Sequence, residues 1–331
     1  MIPAFRRDER CRVSALCSQS QEKLLLYSKE LNIPHTYTSY VEMIDSGVID
    51  AIAIASPPLV QEGIIRYALS KKIPVFAEKP LGVSLKAIRD FCDVCKKRDI
   101  PNIIDFNYNE IDEWEQVGNL INQNQIGEIQ HCNVHWSFLS HNFQNNYSTW
   151  KTNSNLGGGV LFYYAIHTLY YIEKFMGEAV SVYAKLRGLK NDLTKGDVFL
   201  DLLFDFKNGS TASVFVSNFL KFGQGHQIHF IGAKGSLMLA NPHGTSFDGF
   251  RVLLGMHNFK MQKDITLRKK EAEVSDTRIG PTQKLVNRFL SWVINGQKSH
   301  PNFQDALRTM SIAEKAIASN QSGKPELIEY N

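Results

Sequence analysis

The sequence has no hydrophobic run long enough to cross a bilayer. Its longest apolar stretch, Val160 to Ile172, is interrupted by His167, Thr168 and several tyrosines and is too short for a span. It predicts a buried helix instead, and no membrane partner. An excess of one charge is also lacking. Lys plus Arg number 37 against 33 Asp plus Glu, a net charge of +4, which excludes a dedicated nucleic-acid binder. The basic clusters Lys96-Lys97-Arg98 and Arg268-Lys269-Lys270 each stand near acids, Asp93 and Asp99 for the first, Glu271 and Glu273 for the second. They read as solvated faces. Cysteine is sparse: Cys11, Cys17, Cys92, Cys95 and Cys132 form an odd, scattered set, which points to reduced thiols and a cytoplasmic setting. Cys92-x-x-Cys95 has no second pair, so two thiols on one helix face are favoured over a zinc or redox site. No secretory leader opens the chain, because Met1 to Phe5 run at once into Arg6, Arg7, Asp8 and Glu9. Repeats and low-complexity tracts are absent. What is present, 43% hydrophobic and 21% charged residues in a chain of 331, is the composition of a soluble globular protein of about two domains.

Two textures follow one another. From Arg12 to Phe106, short apolar runs alternate with helical patterns. Strands are predicted at Val13 to Cys17, Ala51 to Ala55, Pro74 to Ala77 and Asn102 to Phe106. Helices are predicted at Gln21 to Leu31, Leu59 to Lys71, and from a Ser84 cap to about Arg98. Near-continuous apolar strands between helices mean a parallel sheet covered on both faces. Such sheets bind ligands at the carboxyl ends of their strands. That rule picks out Ser18, Ser56 to Pro58, Glu78 to Pro80, and Asn107. After Asp112, one helix leads to a strand near Glu128 to Phe138, an Asn-rich loop, and Gly157-Gly158-Gly159 before the buried helix. Strands then dominate from Val180 to about Thr266. Val198, Leu200, Leu202, Phe204 and Phe206 share one strand face, and Ala212, Val214 and Val216 continue it. Asn208-Gly209 predicts a two-residue hairpin turn with both residues at positive φ. Asp197, Asp201 and Asp205 fall on the opposite face and read as a solvent- or subunit-facing row. Helices at about 282–294 and 302–319 close the chain.

Residues Ile49 to Pro58 read I-D-A-I-A-I-A-S-P-P, Val75 to Leu81 read V-F-A-E-K-P-L, and Gly157 to His167 read G-G-G-V-L-F-Y-Y-A-I-H after a Trp150-Lys151 pair. Together these resemble the Gfo/Idh/MocA oxidoreductases, the glucose-fructose oxidoreductase and inositol dehydrogenase family, over nearly the whole chain. The resemblance implies a Rossmann domain at residues 1–107, incomplete at its start. It implies a substrate and oligomerisation domain at 108–331, with a large open, mostly antiparallel sheet. The implied activity is NAD- or NADP-dependent hydride transfer to or from a hydroxyl or keto carbon of a sugar, cyclitol or sugar derivative. Lys79 and His167 match the family's catalytic Lys and His, and the Lys79-Pro80 bond is implied to be cis. Ser18, Gln19, Ser56, Pro57, Pro58, Gln61, Glu78, Lys79 and Asn107 stand where the cofactor binds. Asn146, Trp150, Lys151, Tyr163 and His167 stand where the substrate binds. The chemistry suits these types. Neutral His is the commonest base near pH 7, and a Lys can hydrogen-bond the same reacting oxygen.

Departures from the family pattern are plain. The opening strand and G-x-G-x-x-G loop that receive the pyrophosphate are missing, about 20 residues of a βαβ unit. Met1 to Phe5 align with the end of the helix after that loop. Either the start is placed too late or the piece is lacking, and a truncated reading is the expectation. The missing strand is central in the usual order, so the sheet must gap there or re-pair. Tyr163 replaces the Asp usual one turn before the His, four residues away on the same helix face; its hydroxyl is expected to take that residue's catalytic role, orienting His167 or acting as an acid, without supplying a carboxylate. Gln61 stands for a frequent His, Asn109 for a frequent Arg, and Ser18 for the Asp of NAD-preferring members, which leaves NADP as open as NAD. Bland readings stand beside the sharp ones. The glycines can be a tight turn into the helix, Tyr163 core packing, and His131, His135, His226 and His229 ordinary strand residues without metal. A cofactor-free relative, acting as a binding or assembly protein, is the alternative function. A catalyst that holds NAD without net redox is a third. The amphipathic hairpin sheet predicts a homo-oligomer.

Overall fold

The computed structural model describes residues 1–189, 195–244, 247–256, 258, 260–267 and 276–330. The Arg268-Lys269-Lys270 cluster and its acids Glu271 and Glu273 lie outside the described residues. The chain divides into two units, residues 1–105 with 279–307, and residues 106–278 with 308–331.

In the first unit, strand follows helix as the apolar runs require. Strands β1 (Ala15–Cys17) and β2 (His35–Tyr37) pair in parallel, and β3 (Ile52–Ile54), β4 (Val75–Ala77) and β5 (Asn102–Ile104) form a second parallel sheet. Helix α1 (Ile2–Phe5) precedes β1, and helices α2 (Gln21–Glu30), α3 (Tyr40–Asp45), α4 (Pro58–Ser70) and α5 (Leu85–Arg98) connect the strands. Three starts are fixed by serine caps. Ser20, Ser39 and Ser84 accept the amides of Lys23, Glu42 and Ala87 at 3.3, 3.3 and 3.2 Å, bonds that satisfy otherwise orphaned donors. Val75, Phe76 and Ala77 are fully buried, as a two-faced parallel strand demands.

Three features depart from the sequence reading. First, β2 and α3 were not predicted: β2 is His35-Thr36-Tyr37, with no apolar run, and it exists by pairing with β1. Second, the sheet gaps instead of re-pairing, with β2–β1 on one side and β3–β4–β5 on the other. Third, the compact units do not follow the predicted 107/108 division. The first unit ends at Asp105, not 107, and residues 279–307 belong to it. The reason is packing. Helix α9 (Ile279–Asn295) buries Leu285, Val286, Phe289, Leu290 and Trp292 with Ala4, Phe76 and Ile103. The rings of Phe5, Phe76 and Phe289 meet edge-to-face at centroid distances of 5.4, 5.8 and 6.4 Å, a favoured aromatic geometry.

The second unit is built on nine strands: β6 (Ile129–Ser137), β7 (Ala179–Gly188), β8 (Asp197–Phe206), β9 (Thr211–Ser217), β10 (Gly225–Gly232), β11 (Gly235–Asn241), β12 (Arg251–Met256), β13 (Lys263–Asp264) and β14 (Glu326–Leu327). Their order is β13-β12-β11-β10-β6-β9-β8-β7-β14. Among the described strands of this sheet only β6 and β9 pair in parallel. The predicted inward residues of β8 and β9 are buried, from Val198 to Phe206 and from Ala212 to Val216. Helices α6 (Asp112–Asn122), α7 (His141–Gln144), α8 (Ile166–Met176) and α10 (Phe303–Ser322) complete the elements. The β8–β9 turn is corrected. Only Gly209 has positive φ, at 83°. Its amide bonds to Phe206 O and the Phe206 amide bonds to Ser210 O, both at 2.9 Å. This is a three-residue loop closed by a left-handed glycine, not a two-residue primed turn. No helix among the described residues is long and apolar enough to cross a membrane.

Candidate functional site

In the first unit the strand ends carry the predicted residues. Glu78-Lys79-Pro80 follows β4, and the Lys79-Pro80 bond is cis, as the resemblance implied. Helix α4 braces this loop on both sides of Lys79. Gln61 is 1% exposed; its Nε2 donates to Glu78 O at 2.7 Å and its Oε1 accepts the Gly82 amide at 3.0 Å. Its neighbour Glu62 accepts the amides of Val83 and Ser84 at 2.6 and 2.8 Å through Oε1. Gln61 therefore acts within the protein, holding the Lys79 loop. Glu62 was not singled out from sequence, because its partners lie some 20 residues away. Gly82 has φ 72°, and a side-chain carbon there would lie 2.6 Å from Glu62 Cγ. Glu78 Oε2 accepts the Lys79 amide at 3.3 Å. Ser56-Pro57-Pro58 ends β3 and starts α4 with no side-chain cap; Pro58 has no amide hydrogen and the Val60 and Gln61 amides donate to Pro57 O at 3.0 and 2.9 Å. After β1, Ser18 Oγ accepts the Ser20 amide at 3.2 Å, and Gln19 is exposed.

In the second unit the buried stretch is helical, with a difference. It winds as a π-turn over Leu161–Ala165 before α8 begins at Ile166. The α-helical spacing expected between Tyr163 and His167 is thus replaced by wider winding, a feature common at functional sites. His167 is 6% exposed, with Tyr108 and Phe106 at ring-centroid distances of 4.8 and 6.0 Å. Tyr108, which the sequence did not mark, begins with Asn107 a buried 3-10 turn. Tyr163 leads back to the same aromatic layer through Tyr164, at a ring-centroid distance of 4.6 Å. Trp150 meets the Tyr163 ring edge-on at 5.5 Å, and Lys151 Nζ lies 4.9 Å from its centroid. Trp150, Lys151 and Tyr163 are therefore brought together. Asn146 stands on the exposed loop before them with φ 54°. Other amides of that loop shape the loop itself: Asn142 Nδ2 donates to Thr149 Oγ1 at 2.7 Å and Asn145 Nδ2 to His141 O at 2.8 Å.

Gly157 takes the left-handed conformation, φ 81°, that ends the preceding 3-10 turn, and the other two glycines are explained by close approach. A side-chain carbon at Gly158 would lie 2.1 Å from Trp150 O, and one at Gly159 would lie 2.4 Å from Asp197 Oδ1. Asp197 itself corrects the predicted row. Asp201 and Asp205 are exposed, but Asp197 turns to the start of the helix. His226, read as an ordinary strand residue, is buried and shares a 2.9 Å hydrogen bond with Tyr171 OH. Among the described residues no three His, Cys, Asp or Glu groups stand together as metal ligands. Cys92 and Cys95 are free and buried. Burial pushes both thiols up to about 12.

Against known families, residues 1–105 match the NAD-binding Rossmann fold of an oxidoreductase family, and residues 119–327 match the C-terminal alpha/beta domain of the same family. The chain belongs to the Gfo/Idh/MocA oxidoreductase family. An "uncharacterized oxidoreductase" of Synechocystis is 22% identical over 97% of this chain and 90% of its own length. Among solved structures, an Agrobacterium radiobacter oxidoreductase in complex with NAD+, L-tartaric acid and magnesium superposes with a TM-score of 0.84 at 19% identity, covering 98% of this chain and 93% of that one. Levoglucosan dehydrogenase, in complex with NADH and L-sorbose, gives 0.85 at 16% identity, covering 96% and 89%. As a Gfo/Idh/MocA protein the chain is an NAD(P)-dependent dehydrogenase or reductase. The family's cofactor has two ends to be held. The α4 start, Ser18 and the braced Lys79 loop all stand after strands of the first unit, the side of a parallel sheet where such a cofactor would be held. No glycine fingerprint follows a strand in this sequence, so the residues present do not include that grip for the diphosphate.

Proposed function

We propose that this Gfo/Idh/MocA protein oxidises or reduces a hydroxyl or keto carbon of a sugar, cyclitol or sugar derivative. The observation that carries the reading is His167, buried in the first turn of α8 just after the π-turn that carries Tyr163, whose ring meets Trp150 and Lys151. A ring face, a cation and a phenol side by side suit a hydroxyl-rich ligand. A dinucleotide held by the first unit would supply or accept the hydride. His167 takes the hydroxyl proton during oxidation and returns it during reduction. Lys79 donates a hydrogen bond to the reacting oxygen, where charge develops. Tyr163 binds and orients the substrate in place of the usual carboxylate, with Trp150, Lys151 and Asn146. Ser18, Gln19, Ser56, Pro57, Pro58, Glu78 and Asn107 hold the cofactor, with Gln61 bracing the loop. The cysteines fit a cytoplasmic setting, and the outer face of the nine-stranded sheet fits a homo-oligomer.

Lys79→Ala and His167→Ala are each expected to lower turnover at least about 100-fold, the scale of general acid–base catalysis, in an assay of sugars with NADH, NADPH and their oxidised forms. Near-normal activity in either variant sinks the assignment. The divided Rossmann sheet favours one second reading, a cofactor-free assembly protein. Calorimetric titration separates the two: micromolar binding of either reduced dinucleotide supports the enzyme, and no binding by a stable oligomer supports the assembly role.

A further inference from the structure

The helix start that carries Tyr163 and His167 has no local cap. Val160, just before the π-turn, offers no side-chain hydrogen bond, yet the first amides of a helix need partners. The partner comes from 36 residues downstream. The Leu161 amide donates to Asp197 Oδ2 at 2.7 Å, and the Val160 amide adds to the same carboxylate. Ser154 Oγ donates to Asp197 Oδ1 at 3.0 Å, tying in the 3-10 turn Ser154–Leu156. An acid at a helix start is also favoured by the helix dipole.

The surrounding chain is shaped to let this carboxylate in. Gly159 has φ 86° and leaves no room for a side chain beside Asp197 Oδ1. A side-chain carbon on Gly196 would lie 3.1 Å from both Gly159 Cα and Ser154 Oγ. The Lys195 amide donates to Thr152 O at 3.0 Å, so the start of β8 is laced to the Trp150–Thr152 segment. One carboxylate thus sits where the helix start, the Trp150–Lys151 loop and the edge of β8 meet. Burial raises its pKa, and the amides it accepts oppose that rise.

We infer that Asp197 is a positioning residue: it anchors the start of the π-turn and so sets Tyr163 and His167 in register with the Trp150–Lys151 loop. The assignment rests on the catalytic roles proposed above. Its test is Asp197→Asn, read by hydrogen exchange and by activity. Exchange over residues 158–167 should rise about tenfold or more while β10 exchanges as before. The NMR titration midpoint of His167 should shift. Turnover should fall about 10- to 100-fold with dinucleotide affinity unchanged.

Unchanged exchange over 158–167 overturns the anchor. Faster exchange with an unmoved His167 midpoint and full turnover overturns the positioning role, and faster exchange across the whole chain assigns the residue to general stability instead. Ser154→Ala, which removes one bond and keeps the carboxylate, should move the same readouts in the same direction by less; no movement there while Asp197→Asn fails to fold also overturns the inference. Should the wild-type chain turn over no sugar, the proposed function fails, while exchange and the His167 midpoint still decide the anchor.

Discussion

His226 is a histidine that cannot easily take a proton. It is stacked on Trp136 at 4.3 Å, with Trp114 at 5.4 Å and Tyr108 at 5.5 Å, and burial pushes it down to about 3. In the unfolded chain it titrates near its ordinary value of about 6.5. Between those values the unfolded state binds more protons, so stability rises with pH through that window. Stability is therefore intact above about pH 6.5 and lost as pH falls toward 3, by at most about 1.4 kcal/mol per pH unit from this group. Urea unfolding of wild type and His226→Gln at pH 7 and pH 5 checks this: the variant should lose less stability between the two. Equal losses would show that the ring is accessible to protons. The thiols obey the same rule of burial. Cys17 is exposed, and Cys92, Cys95 and Cys132 are buried. Burial pushes the first two of those buried thiols up to about 12 and Cys132 higher still. Mass spectrometry after a maleimide at pH 8 should find Cys17 modified in the native protein and the buried three modified only after unfolding. Native labelling of Cys92 or Cys95 would revive a redox role for the pair.

At the scale of elements, a strand announces itself when its apolar run is bounded by breakers. Ile52–Ile54 before Ser56-Pro57-Pro58 and Val75–Ala77 before Pro80 were legible for that reason, and with them the places of Ser56 and Lys79. Three things were not legible. His35–Tyr37 is held by its pairing with β1 and has no apolar run of its own to mark it. The apolar stripe of α9 shows a buried face and does not say which sheet it covers. The alternation of β8 shows which way Asp197 points and does not say what lies there, because the helix start it meets is 36 residues away. Short-range pattern fixes type and face; long-range contact decides destination. The α9 contact makes a measurable claim. Phe289 is 1% exposed within its aromatic triad, and Phe289→Ala should cost about 3–5 kcal/mol by the lost burial and the cavity left behind. Chemical denaturation measures it. A cost below about 1 kcal/mol would show that α9 does not seal the first unit.

For the whole molecule, the nine-stranded sheet raises the question of its outer face. On that face the pairing sets Tyr183 beside Leu203 and Met238 beside Leu253, with Asn133 beside His229 between them. Leu203 is 55% exposed in the isolated chain. Apolar side chains interleaved with Asp201, Asp205 and three half-buried histidines, His131, His135 and His229, are too many for a purely solvated surface and too polar for a core. That mixture is the usual character of a subunit contact. If two chains meet there, an acid at its centre must be desolvated without a partner, which is costly. Leu203→Asp should therefore shift the sedimentation profile toward monomer at micromolar concentration. It should leave the fold intact, because that side chain contributes nothing to the inner layer of Val198, Leu200, Leu202 and Phe204. A wild-type chain that sediments only as monomer at that concentration would overturn the homo-oligomer. A Leu203→Asp oligomer as tight as wild type would move the contact to another face.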